Sequence, residues 1–341
     1  MIDLLVAGGG PAGLVTALHA RQAGLRVVVM ERRIAPIDKA CGEGLMPTAI
    51  AALARLGVDV PGRAFRGIRY CDGTRSAIAD FRTGLGRGVR RTDLHASLHR
   101  AACAAGAELV QGNHFGGVTQ DTESVMLNGI RARYLVAADG LHSPVRRSLG
   151  LDRTATRAHP PRWGIRAHYA CDPWTDRVEV HWSKTSEAYV TPVGDHCVGV
   201  AVLGSDRATF AERLAAFPAL RARLPAEPMG RVRAAGPLRQ DVSARVVGRV
   251  LLVGDAAGYV DALTGEGLAI AFGCAEALVG RIVAGTPARY ERDYRTLTRR
   301  YRLITSALLA AGQRPALRRK IVPLASAAPW VFGAAVRQLA R

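Results

Sequence analysis

The sequence predicts an α/β fold with a parallel sheet near the N-terminus, a second, antiparallel sheet, and helices at the C-terminal end. Three observations predict this fold. Residues 1–31 follow the order strand, glycine-rich turn, helix and strand, which is typical of parallel sheets. Residues 163–203 contain several runs in which apolar and polar residues alternate, as in antiparallel strands. Residues after 286 combine apolar and basic residues at helical spacing.

The first two strands and the helix between them predict a Rossmann-like unit. The run Leu4–Ala7 is short and wholly apolar, as expected of a strand that is buried on both faces. A helical pattern then extends from Pro11 to about Ala23, and Gly24 stands where a helix C-cap is expected. The second strand, RVVVM, leads directly into Glu31.

A G-x-G-x-x-G pattern occupies the turn of this unit, at Gly8, Gly10 and Gly13. Glycines here let backbone N–H groups approach a pyrophosphate at the helix N-terminus, where the helix dipole favours negative charge. Glu31 follows Gly13 by eighteen residues and is placed to accept hydrogen bonds from a ribose diol. Because both strands, the helix and the acid are present, the pattern predicts a dinucleotide-binding site.

Two later segments repeat the order strand, loop and helix. Residues 134–138 form a predicted strand that is followed by Asp139 and Gly140. Residues 250–253 form another, followed by Asp255, a glycine-rich loop and a long helix from about residue 267. A loop that enters a helix in this way can also present N–H groups to an anionic ligand.

These segments, read as GGGPAG, DGLHSPVRR and GDAAGYVDALTGEG, carry a family resemblance. Over about residues 1–285 the chain resembles FAD-dependent group A flavoprotein monooxygenases (para-hydroxybenzoate hydroxylase-like) and the related geranylgeranyl reductases. Three independent motifs agree in order and spacing. The resemblance implies a discontinuous FAD-binding domain of the glutathione reductase type, FAD as cofactor, and NADH or NADPH as electron donor.

The resemblance also implies which residues contact FAD. Asp255 is expected at the ribityl or pyrophosphate region, and Arg91 is expected to reach the cofactor from the start of a helix. Asp139 and Gly140 match a DG motif that is associated with both FAD and NADPH. The complete set of expected cofactor contacts is Gly8, Gly10, Ala12, Gly13, Glu31, Arg32, Cys41, Gly42, Arg91, Asp139, Gly140, Asp255, Gly265, Gly267 and Leu268.

The segment ACGEGLMP follows the second strand by about ten residues, where geranylgeranyl reductase-like members have a Cys-Gly loop that faces the flavin. Gly42 would let the backbone approach the ring. Cys41 is the catalytic candidate, as a proton donor; a packing contact and an inert small side chain are the alternatives, and a buried cysteine is usually structural. In AYVTPVG, Tyr189 and Pro192 match an aromatic Y-x-W-x-F-P motif of the reductases and are expected in the substrate pocket. The Trp and Phe of that motif are absent.

The chain is predicted to have three parts. The FAD-binding domain comprises residues 1–66, 86–150 and 239–286, and the substrate domain comprises residues 67–85 and 151–238. The substrate domain includes a hairpin at 67–85, later antiparallel strands, and one amphipathic helix, FAERLAAFPALRARL. Residues 287–341 are predicted to form two or three amphipathic helices.

The formal net charge is +19, and residues 288–341 contribute twelve basic and two acidic residues to it. Nucleic acid is not expected as a partner, because aromatic residues make up only 6% of the chain and are not interleaved with the basic ones. The basic C-terminal segment could bind an anionic membrane, or it could pack as a cap on the FAD-binding domain.

The sequence also bounds the compartment. Six scattered cysteines fit reduced thiols, and no His/Cys cluster has the spacing of a zinc site, so no metal is expected. Neither a signal peptide nor a spanning segment is expected. These features predict a cytoplasmic protein. Peripheral attachment at the inner face of the membrane is compatible with this prediction.

Two enzymatic functions and one non-enzymatic function fit the sequence. The absence of the Trp and Phe of the Y-x-W-x-F-P motif favours an NAD(P)H-dependent monooxygenase that hydroxylates an apolar aromatic compound, such as a phenolic or polyketide-type lipid. The CGEG and LTGEG segments favour a flavin-dependent reductase of isoprenoid double bonds. A non-catalytic, membrane-attached flavoprotein is least favoured, because three FAD motifs are retained. The preferred prediction from the sequence is the monooxygenase, with a hydrophobic small molecule as substrate.

Overall fold

The computed structural model describes residues 1–153 and 160–339. Residues 154–159, in the predicted substrate domain, and residues 340–341, in the predicted C-terminal segment, lie outside the described residues. The described residues form an eight-stranded, a seven-stranded and a three-stranded sheet, together with helices. The predicted α/β fold is confirmed.

The strands, in chain order, are β1 (Ile2–Ala7), β2 (Val27–Glu31), β3 (Gly44–Leu45), β4 (Arg63–Phe65), β5 (Gly67–Cys71), β6 (Ser76–Asp80), β7 (Gly86–Gly88), β8 (Glu108–Gln111), β9 (Val118–Gln120), β10 (Val125–Leu127), β11 (Ile130–Ala137), β12 (Trp163–Tyr169), β13 (Val178–Trp182), β14 (Glu187–Gly194), β15 (Cys197–Gly204), β16 (Met229–Ala235), β17 (Val246–Val247) and β18 (Val250–Leu252).

The helices are α1 (Pro11–Gln22), α2 (Pro47–Arg55), α3 (Arg91–Ala104), α4 (Pro144–Ser148), α5 (Phe210–Leu214), α6 (Pro218–Arg221), α7 (Gly267–Val283), α8 (Tyr290–Gln313), α9 (Pro315–Arg318), α10 (Ile321–Ala327) and α11 (Pro329–Leu339). Two 3₁₀ turns span Gly254–Ala257 and Pro287–Arg289. Among the described residues, none of the helices is long and apolar enough to cross a membrane.

The eight-stranded sheet forms the parallel core. Its strands β18, β11, β1, β2 and β8 are neighbours in that order and all pair in parallel. Leu5, Val29 and Leu251 are completely buried, which explains why these strands read as unbroken apolar runs. Helix α1 packs against both α3 and α7. The helix ends at Gln22, and its C-cap is Ala23, one residue earlier than predicted; Gly24 follows the cap at a φ of +79°.

The seven-stranded sheet has the order β16-β12-β15-β14-β13-β5-β6. It was expected to be antiparallel throughout, and this expectation is wrong for one pair, since β13 pairs with β5 in parallel. The hairpin β5–β6 comes from a distant part of the chain, so no tight turn forces its first strand to run against β13. Every other pair in this sheet is antiparallel.

The segment FAERLAAFPALRARL forms two short helices, α5 and α6, where the sequence predicted one. Pro218 interrupts it, because proline has no N–H to donate and disfavours a helical conformation of the residue before it. Phe217 accordingly has a φ of −129° and a ψ of 66°. Both helices still bury apolar residues against one face of the seven-stranded sheet, as Phe210 and Leu220 show.

The described part of the C-terminal segment, residues 287–339, forms four helices, α8 to α11, and not two or three. The extra breaks occur at Arg314 and Ala328, whose backbones are non-helical and which precede Pro315 and Pro329. Helices α10 and α11 pack against the hairpin β5–β6. Phe332, for example, lies with its ring centroid 4.7 Å from that of Tyr70.

A buried ion network fastens this segment to the seven-stranded sheet. The Arg318 guanidinium donates to Glu187 Oε1 at 2.6 Å, and Arg162 donates to the second oxygen, Oε2, at 2.7 Å. Arg162 also donates to Asp261 at 2.9 Å. All four side chains are buried, so each charge depends on its partners for stabilisation.

We therefore expect Arg318→Ala to lower the free energy of unfolding by about 3–5 kcal/mol, because Glu187 would lose one of its two buried partners. Arg319→Ala is the matched control, since the next side chain along is exposed, and it should change stability by less than about 0.5 kcal/mol. Denaturant unfolding followed by circular dichroism measures both. Equal losses in the two variants would contradict this account of the network.

Candidate functional site

An open cavity lies between the carboxyl ends of the parallel strands and the seven-stranded sheet. Most of the predicted site residues line it: Gly10, Ala12, Glu31, Cys41, Gly42, Arg91, Asp139, Gly140, Tyr189, Asp255, Gly265, Gly267 and Leu268. Four predicted residues do not line the cavity: Gly8, Gly13, Arg32 and Pro192. The carboxyl ends of parallel strands are where such folds bind ligands.

Gly8 and Gly13 shape the first loop from behind. Gly8 has a φ of +110°, and a Cβ atom there would lie 2.4 Å from the carbonyl oxygen of Ala138. A Cβ atom on Gly13 would lie 1.8 Å from the carbonyl oxygen of Gly8. Neither position can carry a side chain unless the backbone moves, so these two glycines determine the path of the loop. Gly10, in the same loop, lines the cavity.

Side chains from two other elements hold this loop. The Gly9 N–H donates to Glu31 Oε2 at 2.9 Å, and the backbone and side chain of Arg33 both donate to Glu31 Oε1. On the other side, His95 Nε2 lies 2.9 Å from the Gly9 carbonyl oxygen, which can only accept, so Nε2 carries the proton. Burial lowers the pKa of His95 to about 4, which keeps the ring neutral.

Two arginines contribute positive charge to the cavity wall next to the loop. Arg91 is the first residue of α3 and is almost fully buried, and its Nη1 has no hydrogen-bond partner among the described residues. Arg33 lines the cavity, whereas Arg32, the residue named from the sequence, is exposed and lies outside it. A glycine loop at a helix N-terminus, an unpaired buried guanidinium and a carboxylate at a strand end fit the phosphates and sugar of a dinucleotide.

Asp139 and Asp255 lie at the ends of neighbouring strands. Asp139 Oδ2 accepts a hydrogen bond from the Val145 N–H, while its Oδ1 is buried without a partner among the described residues. Burial raises the pKa of the Asp139 carboxyl. Asp255 is the second residue of the 3₁₀ turn after β18 and forms an ion pair with Lys39 at 3.4 Å. Both carboxylates can therefore accept hydrogen bonds from ligand hydroxyl groups in the cavity.

The Cys41 thiol lies on the cavity wall. Its sulfur accepts a hydrogen bond from the Glu43 N–H at 3.4 Å. Burial raises the pKa of the thiol and outweighs the opposite effect of the nearby Arg91 guanidinium. Cys41 therefore keeps its proton at neutral pH, which suits a proton donor better than a nucleophile.

Glu43 is the functional candidate that sequence reasoning missed. It is buried, and its backbone has a φ of 60°, which is uncommon for a residue other than glycine. Its Oε1 accepts from the Arg91 N–H at 2.7 Å, and its Oε2 accepts from His168 Nε2 at 2.6 Å. Arg166 donates to the other ring nitrogen of His168. The one available signal was an acid between two glycines, which does not by itself indicate these contacts.

The far end of the cavity is apolar and is covered by the seven-stranded sheet. Tyr189 donates its hydroxyl to the Leu263 carbonyl oxygen at 2.7 Å, so its ring is fixed at the wall. Thr191 donates to the Gly42 carbonyl oxygen at 2.8 Å and thereby joins the sheet to the Cys41 loop. Pro192 lies behind the wall, where its carbonyl oxygen closely approaches Gly88. The apolar lining includes Met46, Ile68, Tyr70, Val178, Val180, Leu203, Leu238 and Leu263.

Comparison with known proteins supports a dinucleotide cofactor, FAD, in this cavity. A sequence family described as "FAD binding domain" matches residues 1–284. A menaquinone reductase from Mycolicibacterium smegmatis is 30% identical over 318 residues, covering 78% of this chain and 72% of that one. A rifampicin monooxygenase from Streptomyces venezuelae is 32% identical over 171 residues, covering 44% of this chain and 34% of that one.

A solved structure shares the fold over almost the whole chain. It is a geranylgeranyl bacteriochlorophyll reductase-like protein from Thermoplasma acidophilum, with a TM-score of 0.77 and 20% identity. The match covers 95% of this chain and 91% of that one. Identity at this level supports a shared architecture only.

The two adjacent arginines provide a test of the cofactor site. We expect Arg33→Ala to weaken FAD binding by roughly tenfold, because it removes a cavity-lining charge and a donor to Glu31. Arg32→Ala should change it by less than about threefold, since exposed charges contribute little. Titration of the apoprotein with FAD, followed by flavin fluorescence, measures both. A larger effect at Arg32 would favour the assignment made from the sequence.

Proposed function

This chain belongs to the FAD binding domain family, and on that premise we propose that, as an FAD-dependent oxidoreductase, it reduces carbon–carbon double bonds of an isoprenoid lipid. One observation carries the proposal: the Cys41 thiol, whose pKa is raised by burial, lies on the wall of a cavity whose far end is apolar. The similarity to the menaquinone reductase covers 78% of the chain, against 44% for the monooxygenase. Both facts favour reduction over the hydroxylation that the sequence alone favoured.

The residues around the first loop are the proposed holders of the cofactor. We expect Glu31, Arg91 and Asp255 to bind the sugar, phosphate and ribityl groups of FAD, with the Cys41 loop beside its ring. Bound FAD supplies hydride chemistry, for which a reduced nicotinamide, NADH or NADPH, is the proposed source of electrons. The remaining chemistry of double-bond reduction is a proton transfer, and it falls to the protein.

Cys41 is suited to deliver that proton. Saturation of a double bond adds a hydride to one carbon and a proton to its neighbour, and an apolar cavity provides little water for the second addition. The Glu43 N–H occupies an acceptor site of the sulfur, which leaves the S–H free to donate. After donation, the Arg91 guanidinium stabilises the thiolate until it regains a proton from water.

The apolar end of the cavity is the proposed site of the lipid chain. Met46, Ile68, Val180 and Leu263 present aliphatic surface to it, and burial of such surface favours an isoprenoid chain by the hydrophobic effect. The hydroxyl of Tyr189 is bound to a backbone carbonyl, so this residue adds aromatic surface without an unpaired polar group. The menaquinone reductase relative is named for a substrate that carries an isoprenoid chain.

A monooxygenase that hydroxylates an apolar aromatic is the second candidate. The observation in its favour is the missing Trp and Phe of the reductase motif, since Thr191 lines the cavity at that strand. Thr191 is smaller than the Trp of that motif and leaves room for a substrate ring. The named monooxygenase relative matches less than half of this chain, which is why this candidate ranks second.

The reaction type is decided by the origin of the added atoms. We expect the holoenzyme, incubated without oxygen with a reduced nicotinamide and menaquinone in detergent, to yield a product that still carries two more hydrogen atoms after its quinone ring has been reoxidised in air. In heavy water at least one of these should be deuterium, because the thiol proton exchanges with solvent. A product that forms only when oxygen is admitted, and that carries heavy oxygen from labelled gas, would decide for the monooxygenase.

Cys41→Ala should lower kcat by about 100-fold or more through loss of the acid, while FAD absorbance stays at the wild-type level. Cys41→Ser, which keeps a weaker acid at the same place, should retain more activity than Cys41→Ala. Cys197→Ala is the control, because that half-buried thiol does not line the cavity. Wild-type turnover in both Cys41 variants would assign the thiol a packing role only.

A further inference from the structure

We propose that the exposed side of helices α9 to α11 is a docking surface for an anionic lipid bilayer. Six exposed residues define this basic–apolar surface: Leu317, Arg319, Lys320, Leu324, Trp330 and Val331. Trp330 exposes 76% of its surface and Leu324 exposes 63%, although both are large and apolar. The surfaces of soluble proteins seldom group such residues, whereas exposed tryptophan is typical of proteins at membrane interfaces.

The helical backbone separates an inner and an outer side in this segment. Arg319 and Lys320 keep helical dihedral angles, so α9 continues almost directly into α10. Arg318 and Val322, four residues apart, are buried against the protein. Leu317, Lys320 and Leu324 follow at spacings of three and four and are exposed, so they share the opposite side.

The electrostatic character of the surface fits an anionic partner. No acidic residue follows Asp293 in the sequence, whereas ten basic residues do. Of these, Arg318 is buried in the ion network with Glu187, but Arg314, Arg319 and Lys320 are exposed. Each basic residue near an anionic membrane adds to the attraction, and exposed apolar side chains can insert at the headgroup level.

The position of the surface relates it to the cavity. The inner sides of α10 and α11 place Val322 and Phe332 in one apolar cluster with Tyr70, Met46 and Leu263. The last three also line the cavity. Only one helical layer therefore separates the basic–apolar surface from the apolar end of the cavity. Delivery of a lipid substrate by this route rests on the proposed function, whereas the membrane contact itself does not.

Vesicle co-sedimentation of the holoenzyme that comprises residues 1–341 tests the contact without any measurement of turnover. The wild-type protein should sediment with vesicles of phosphatidylcholine and phosphatidylglycerol at low salt, and much less with phosphatidylcholine alone. High salt should release it, because it screens the attraction. Arg319→Glu/Lys320→Glu should lower the vesicle partition coefficient by about tenfold or more, and Leu324→Asp should lower it as well.

Matched variants elsewhere exclude a general charge effect. Arg147→Glu/Arg231→Glu changes two exposed arginines outside the C-terminal segment, and Val232→Asp places a charge at an exposed apolar site on β16. Both should bind vesicles like the wild type, and flavin absorbance verifies that every variant is folded. The proposal is overturned if the wild type stays in the supernatant with anionic vesicles at low salt. It is equally overturned if Arg319→Glu/Lys320→Glu binds as the wild type does, which would leave a protein partner as the occupant of this surface.

Discussion

The close approach of two backbone segments underlies the whole site. The first loop comes so near the end of β11 that a single Cβ atom at Gly8 would overlap the Ala138 carbonyl group. This contact requires glycine, and it brings the first loop, Asp139 and the turn at Asp255 to one edge of the parallel sheet. Since parallel strands end at a common edge, one steric constraint gathers three loops around one cavity.

The Glu43 carboxylate connects this edge to the second sheet. It accepts hydrogen bonds from the backbone N–H of Arg91, the first residue of α3, and from His168 of β12. The backbone N–H of Glu43 donates to the Cys41 sulfur. Thr191 makes a second connection at Gly42. The thiol is therefore fixed in relation to both walls of the cavity, which general acid catalysis requires.

The parallel sheet and its loops could be predicted from the sequence, because the residues that specify each strand and loop are close together in the chain. The apolar run of β1, the glycine turn and the strand-end acids each lie within a few residues of one another. The role of Glu43 was not predictable, since its partners are 48 and 125 residues away. Arg32 and Arg33 could not be distinguished, because the alternation of side chains ends with the strand. Pro218 indicated a break between α5 and α6, but the amphipathic pattern on both sides of it suggested one continuous helix.

The buried network of Arg318 joins residues on both sides of the point where the match to the FAD binding domain family ends. The FAD binding domain match ends at residue 284, yet a carboxylate inside that range, Glu187, relies on a guanidinium beyond it. The two parts are thus not interchangeable modules. A related chain that replaces Arg318 by an apolar residue should also have lost the acid at position 187, because neutralising both ends of a buried pair costs far less than stranding one charge. Exchange of the C-terminal segment between relatives would succeed only when the two sites change together.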